Sequence, residues 1–256
     1  MRARTKLLLY RLYWLEQFLP RPSVYRLLSG FGDWESRAGL SRTFQRLEEQ
    51  AVLEAEGRSL DRIVRLTEKG RRLIEGPSGV SRRWERKWDG LWRMVVFDVP
   101  ESERKLRQRL RRTLADHGFG CLQKSVWISP DPFAREFRKL RRNLATPASL
   151  TLIEGNEIAG RDPKNLVRAA WHFGAINRAY EDYLAYLRTL SGPENPSASQ
   201  EVLAREQSLW EAAVSRDPFL PAELLPRGYC GRKAWKKRQR DLPGILRRWI
   251  APECDN

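Results

Sequence analysis

GLSRTFQRLEEQAVLEAEGRSLDRIVRLTEKGRRLI, residues 39–74, is the stretch on which the reading of this chain turns. Leu40, Phe44, Leu47 and Ala51 recur at helical spacing and predict one inward apolar stripe on a helix that Ser41 caps. The outer face carries Arg42, Gln45 and Arg46, long enough to reach guanine and adenine edges in a major groove, together with Thr43. Val52 to Ala55 and Arg62 to Leu66 predict two short strands about the tip Gly57-Arg58-Ser59-Leu60-Asp61. Thr67 ends the second strand and caps a closing helix through Ile74. Helix, hairpin and closing helix in this order predict a winged helix-turn-helix whose partner is duplex DNA. Its contacts divide by chemistry: Arg42, Thr43, Gln45 and Arg46 towards base edges, Arg58 and Arg62 on the wing towards phosphate or the minor groove. The plain alternative is a short amphipathic helix before a hairpin, with a charged face that is merely solvated.

The charge balance supports a polyanionic partner. The 256 residues hold 48 Lys and Arg against 32 Asp and Glu, a formal charge of +16, with a pI near 10.3. Residues 1–145 contain 32 of the basic and 18 of the acidic side chains, so the excess overlaps the predicted DNA-binding segment. The early apolar stretch from Leu7 to Leu19 is broken by Arg11, Glu16 and Gln17, short of the roughly 20 apolar residues of a membrane span. No signal-peptide pattern opens the chain, and a cytoplasmic protein is expected. Cys121, Cys230 and Cys254 are odd in number and far apart, which predicts neither a disulfide framework nor a zinc knuckle. With only His117 and His172, histidine-based metal sites and histidine-assisted nucleophiles are poorly supplied, and no cofactor is expected.

Around that core segment the periodicity predicts an α+β chain of three domains. Residues 1–78 begin with an amphipathic helix over 5–18, with Leu8, Leu12, Leu15 and Leu19 on one face, and a short helix from Val24 to Leu28. Gly76-Pro77-Ser78-Gly79 is a linker, followed by a basic, Trp-containing connector over 82–87. Residues 79–158 then predict a strand from Trp92 to Val99 buried on both faces, a helix over 101–116, strands over 119–123 and 125–129, a helix over 131–144 and a strand from Leu150 to Ile153. That is a ferredoxin-like β-α-β-β-α-β domain, an antiparallel sheet with two densely basic helices on one face. Residues 159–256 are mainly helical: a wide apolar stripe runs from Leu166 through Leu184, a helix covers 199–215, and six basic residues surround Trp235 between Arg232 and Arg240.

Four segments carry a resemblance: RLTEKGRRLIE at 65–75, WDGLWRMVVFDVPESERKLRQRLRRTLADHGFGCLQKSVWISP at 88–130, AAWHFGAINRAYEDYL at 169–184 and DPFLPAELLPRGYCGRKAW at 217–235. Together they resemble the PaaX-like bacterial regulators of phenylacetate degradation, over nearly the whole chain. The resemblance implies a homodimeric transcriptional repressor that leaves its operator when a small metabolite binds, an acyl-CoA in the type member. The middle segment is also similar to the ferredoxin-fold subunit of CRISPR adaptation complexes, where an aspartate at the end of the first strand is held to bind a metal. Transferred here that residue is Asp98, and the alternative it implies is a metal-dependent nuclease. Glu101 and Glu103 are the nearby carboxylates, more simply read as first-turn residues favoured by the helix dipole, and Asp98 as a turn residue. A non-specific nucleic-acid-binding protein is a further alternative; it needs exposed aromatics, for which only Trp84, Trp88 and Trp235 fall outside core-facing positions. The expectation is a non-enzymatic DNA-binding regulator.

Overall fold

The computed structural model describes residues 3–17, 19, 21–28, 37–57, 61–75, 80–142, 149–158, 160, 162–190 and 196–250. Within them the chain is α+β. The elements are α1 (Ala3–Leu15), α2 (Val24–Leu28), α3 (Arg37–Glu49), β1 (Leu53–Glu56), β2 (Ile63–Leu66), α4 (Glu68–Glu75), α5 (Val80–Glu85) and β3 (Trp92–Asp98). After a 3-10 turn at Glu101–Glu103 come α6 (Arg104–Asp116), β4 (Gly120–Gln123), β5 (Val126–Ser129), α7 (Ala134–Arg142), β6 (Ser149–Gly155), α8 (Pro163–Ala170), α9 (Phe173–Thr189), α10 (Pro196–Val214) and α11 (Gly231–Ile250). They pack as two units, one from residues 1–80, 178–215 and 230–256, the other from 81–177 and 216–229. Residues 178–215 and 230–256 thus fall in the first unit and residues 216–229 in the second.

In the first unit α1 differs from its expected form. Its sequence reads as a one-faced helix, yet every residue from Leu8 to Leu15 is buried, Arg11 and Trp14 included. A helix covered all round is a core element, and α2, β2, α4, α10 and α11 all pack on it. Its buried Tyr10 finds partners on distant segments. The Tyr10 hydroxyl donates to Glu206 on α10 and accepts from Arg238 on α11. Tyr183 donates to the other Glu206 oxygen at 2.7 Å, and Arg238 Nε reaches that oxygen at 3.0 Å. The Arg238 guanidinium also lies 4.7 Å from the Trp14 ring and 4.5 Å from that of Trp210. Burial pushes the phenols of Tyr10 and Tyr183 well above the usual tyrosine range, which keeps both as hydrogen-bond donors.

The second unit is built on a four-stranded sheet in the order β4-β5-β3-β6, every neighbouring pair antiparallel. Val95 and Phe97 of β3, Trp127 of β5, Leu150 of β6, Leu110 and Leu114 of α6 and Phe137 of α7 form one core, so both helices cover the same face. On the other face α8 closes against β4, where Gly120 leaves room for Trp171 and Ala170. A Cβ at Gly120 would stand 2.6 Å from the indole and 2.7 Å from the Ala170 methyl.

Three expectations are corrected in this unit. The reading of β3 as an almost uninterrupted apolar strand gives no role to Arg93, which is 5% exposed and fully engaged: it grips both Asp89 oxygens at 2.8 and 2.6 Å, Glu154 at 3.0 Å and the Pro130 carbonyl at 3.0 Å. The Arg93 guanidinium holds the Asp89 carboxyl below the usual aspartate range. The stripe after Pro163 is two helices rather than one, because Trp171 takes an extended conformation and breaks it, while Asp162 caps α8 by accepting from Lys164 N at 2.7 Å. The helix expected over 131–144 begins only at Ala134.

Candidate nucleic-acid interface

In the first unit α3 is seated through its apolar side. Phe44 and Leu47 are each 2% exposed and anchor the helix, roughly 1.5–3 kcal/mol apiece on burial. Arg42, Gln45 and Arg46 stand exposed at i, i+3 and i+4, and Thr43 is half-buried beside them. The expected side-chain division along α3 is thus present, with two corrections at its ends. Because the helix opens at Arg37, Ser41 lies within it and is not its cap. Ala51 is not in the apolar stripe either: it is exposed, with φ 51°, in the left-handed position that ends a helix. There Ala51 N donates to the Glu48 carbonyl at 2.8 Å and Val52 N to that of Leu47 at 2.8 Å, so buried Val52 takes up the packing the stripe assigned to Ala51.

The hairpin is tied to α3 and to its flanks. β1 and β2 pair antiparallel with Leu53 opposite Leu66 and Glu56 opposite Ile63. On the other side of β2, Val64 N donates to the Pro22 carbonyl at 2.9 Å and Val24 N to that of Arg62 at 3.0 Å. Arg62, expected at a phosphate, has its guanidinium engaged inside the unit, 2.8 Å from Glu48 on α3 and 5.2 Å from the Phe44 ring. Arg58, the other wing residue, lies outside the described residues. Thr67 is the α4 cap that its position predicts: Gly70 N donates to its Oγ1 at 3.1 Å, and that hydroxyl donates to the Ala51 carbonyl at 2.7 Å. Glu16, after α1, accepts from Leu66 N at 2.6 Å and from Arg71 at 2.5 Å, which fixes β2 and α4 to the buried helix.

The aromatics outside core-facing positions are used in packing. Trp84 is 2% exposed against Phe219, ring centres 5.1 Å apart; Trp88 stacks on Trp92 at 5.2 Å and Trp235 on Trp210 at 5.7 Å. Trp84 therefore offers no ring face to a base, and Trp88 and Trp235 are half-buried. Asp98 is exposed at the end of β3, in register with Ser149, while Glu101 is held by Arg107 at 2.9 Å. Among the described residues no three His, Cys, Asp or Glu side chains gather as a metal site. No helix among them is long and apolar enough to cross a membrane.

With this geometry in hand the relatives of the chain can be placed. Residues 85–167 match the domain family described as PaaX protein central Cas2-like domain, and residues 171–240 match PaaX-like protein C-terminal domain. Transcriptional repressor PaaX of Escherichia coli (strain K12) is 25% identical over 222 residues, 80% of this chain and 66% of that relative, so the chain spans just under two thirds of the repressor's length. Among solved structures, the uncharacterized protein Rv0674 from Mycobacterium tuberculosis shares the fold, with a TM-score of 0.62 over 97% of each chain at 21% identity. The matched segments hold the β3–β6 sheet with its two covering helices, α9, α10 and the first half of α11: the chain belongs to the PaaX-like family, with a Cas2-like central domain.

Proposed function

We propose that this protein is a sequence-specific, DNA-binding transcriptional repressor. In this reading residues 1–78 act as a winged helix-turn-helix and the β3–β6 sheet with α6 and α7 is its ferredoxin-like domain. The observation that carries it is the face of α3: Arg42, Gln45 and Arg46 project outward from a helix whose other side is buried through Phe44 and Leu47. Those three side chains supply the donors and acceptors that read guanine and adenine in a major groove. Thr43 and Arg58 complete the proposed contact set, and Arg62 aligns the hairpin against α3. The likeness to the Escherichia coli transcriptional repressor supports the same reading. A homodimer follows from it, since one recognition helix reads few base pairs and two-fold operators mirror two-fold proteins. A cytoplasmic, non-enzymatic protein released from DNA by a small acyl-CoA completes the proposal, the effector resting on family resemblance alone.

The test is affinity for a duplex taken from upstream of its own gene against a scrambled duplex, with the parent and Arg46→Ala. The parent is expected to prefer the upstream duplex, and Arg46→Ala to lose roughly 1–3 kcal/mol of that preference. Equal binding of both duplexes by the parent would overturn the regulator reading.

A further inference from the structure

We infer that α7, in the second unit, carries a surface of its own for the phosphate backbone of duplex DNA, separate from the base-reading face of α3. This rests on the DNA-binding reading above and extends it to a part of the molecule that reading leaves unused. Arg135, Arg138, Lys139 and Arg142 recur at i, i+3, i+4 and i+7, so they form one stripe along α7, with Arg141 beside it. All five are exposed, and together they line an open groove of about 740 Å³. Among the described residues none of them makes an ion pair or hydrogen bond, and Glu136, the one acid of α7, pairs with none. The six residues that follow, Asn143 to Ala148, add no acid.

On the neighbouring basic helix α6 two of the six cations are satisfied internally, while Arg104, Lys105, Arg109 and Arg112 are exposed like those of α7. On α6 Arg107 holds Glu101 and the Val99 carbonyl, and Arg111 donates to the Lys124 carbonyl at 3.2 Å. Among the described residues no such contact is made by the cations of the α7 stripe, whose neighbours three and four positions apart lie within one Debye length, about 8–10 Å. The helix dipole accounts for cations in the last turn, Lys139, Arg141 and Arg142, but disfavours Arg135 in the first. A polyanion resolves all five at once. From Arg135 to Arg142 the stripe runs about 10 Å along the helix axis, the axial span of roughly three phosphates on one strand. Arginine forks match phosphate oxygens, and no Asn, Gln, Ser or Thr lines the groove among the described residues to read a base edge. The contact therefore adds affinity without sequence preference.

The experiment uses the full chain and the same upstream and scrambled duplexes across a salt series. Arg135→Gln/Arg138→Gln/Arg142→Gln is expected to weaken both duplexes alike, at least tenfold at low salt, and to flatten the slope of log affinity against log salt by about 2–3 units. Arg138→Gln alone should flatten it by about one unit. Thermal melting should be unchanged or raised, because repulsion within α7 is relieved. A control that removes the same charge elsewhere in the unit, Lys164→Gln/Arg216→Gln/Arg227→Gln, should leave the slope within about one unit of the parent. The inference falls if the α7 variant matches the parent on both duplexes, or if the control weakens binding equally. It falls too if single-stranded RNA competes away the α7-dependent part as well as duplex does. In each of these cases a parent that still prefers the upstream duplex leaves the regulator reading standing; a parent that binds no duplex removes both.

Discussion

Ala51 and Gly70 show how single positions fix the base of the hairpin. Ala51 holds a left-handed φ of 51° at the end of α3, a conformation that costs an L-residue about 1–2 kcal/mol and glycine almost nothing. Ala51→Gly is therefore expected to stabilise the protein by about 0.5–1 kcal/mol after the extra freedom of the unfolded glycine is subtracted. Urea unfolding decides it: a midpoint at or below that of the parent would contradict the argument. Gly70 is the opposite case. A Cβ there would lie 2.2 Å from the Val52 carbonyl oxygen and 3.0 Å from Leu66 Cδ2, so α4 would be forced away from the end of α3. Gly70→Ala is expected to destabilise by roughly 1–3 kcal/mol or more, and a wild-type melting curve would show that α4 is less tightly seated than described. Phe219 is the other non-glycine residue with positive φ, 52°, and it is wholly buried. Its N–H donates to Asp217 at 2.7 Å, Arg86 donates to its carbonyl, and the Arg83 guanidinium sits 3.7 Å from its ring, so the surroundings impose the strained geometry.

Between elements, buried charge decides which segments meet. Glu206 is 0% and Arg238 3% exposed, and with Tyr10 and Tyr183 they join α1, α9, α10 and α11. Glu206→Gln leaves the Arg238 guanidinium buried without its anion and is expected to cost about 3–5 kcal/mol; adding Arg238→Met should recover part of that loss. If the double variant is as unstable as the sum of the two single ones, the residues do not act as a pair. Asp89 and Arg93 provide an acid-sensitive counterpart in the second unit. The folded Asp89 carboxyl titrates below its ordinary value of 3.8, so the folded protein binds fewer protons there than the unfolded chain. The stability it contributes is complete above that ordinary value and disappears as pH falls through the folded one. Melting followed downward in pH should lose less stability in Asp89→Asn than in the parent; parallel curves would remove Asp89 from the acid response.

At the scale of the whole molecule, the proposed pairing of chains gives a mass. Light scattering at micromolar concentration is expected to return twice the 30.0 kDa of the chain. A stable species of the single-chain mass, in the presence of the upstream duplex as well as without it, would exclude the dimer. The net charge of +16 also predicts that binding falls steeply with salt for every duplex, whatever its sequence. The two units contribute differently to that dependence. Unpaired cations stand in a stripe on α7, whereas the basic run from Arg232 to Arg240 includes Arg238, whose charge is spent on the interior.

Residue order by itself determined much of this: the α3 face with Arg42, Gln45 and Arg46, the hairpin, the Thr67 cap and the β3-to-β6 succession of elements. These rest on periodicity and turn chemistry, which act between residues a few positions apart. The sequence also carried the four segments of the family resemblance. What tertiary structure decided depends on partners distant in the chain. Nothing near Arg238 or Tyr10 in sequence announces that each is buried, since their partners come from segments 32 and 196 residues away, and Arg93, beside its local partner Asp89, also needs Glu154 from 61 residues away. The enclosure of α1 on all sides and the division of residues 159–256 between two units have the same origin. Arg62 illustrates the boundary most directly: sequence places it on the hairpin beside the proposed duplex, and only packing brings Glu48 and Phe44 to it. Local periodicity sets which side of an element is apolar; which charged side chain meets a partner of its own chain is set by elements that meet only when the chain has folded.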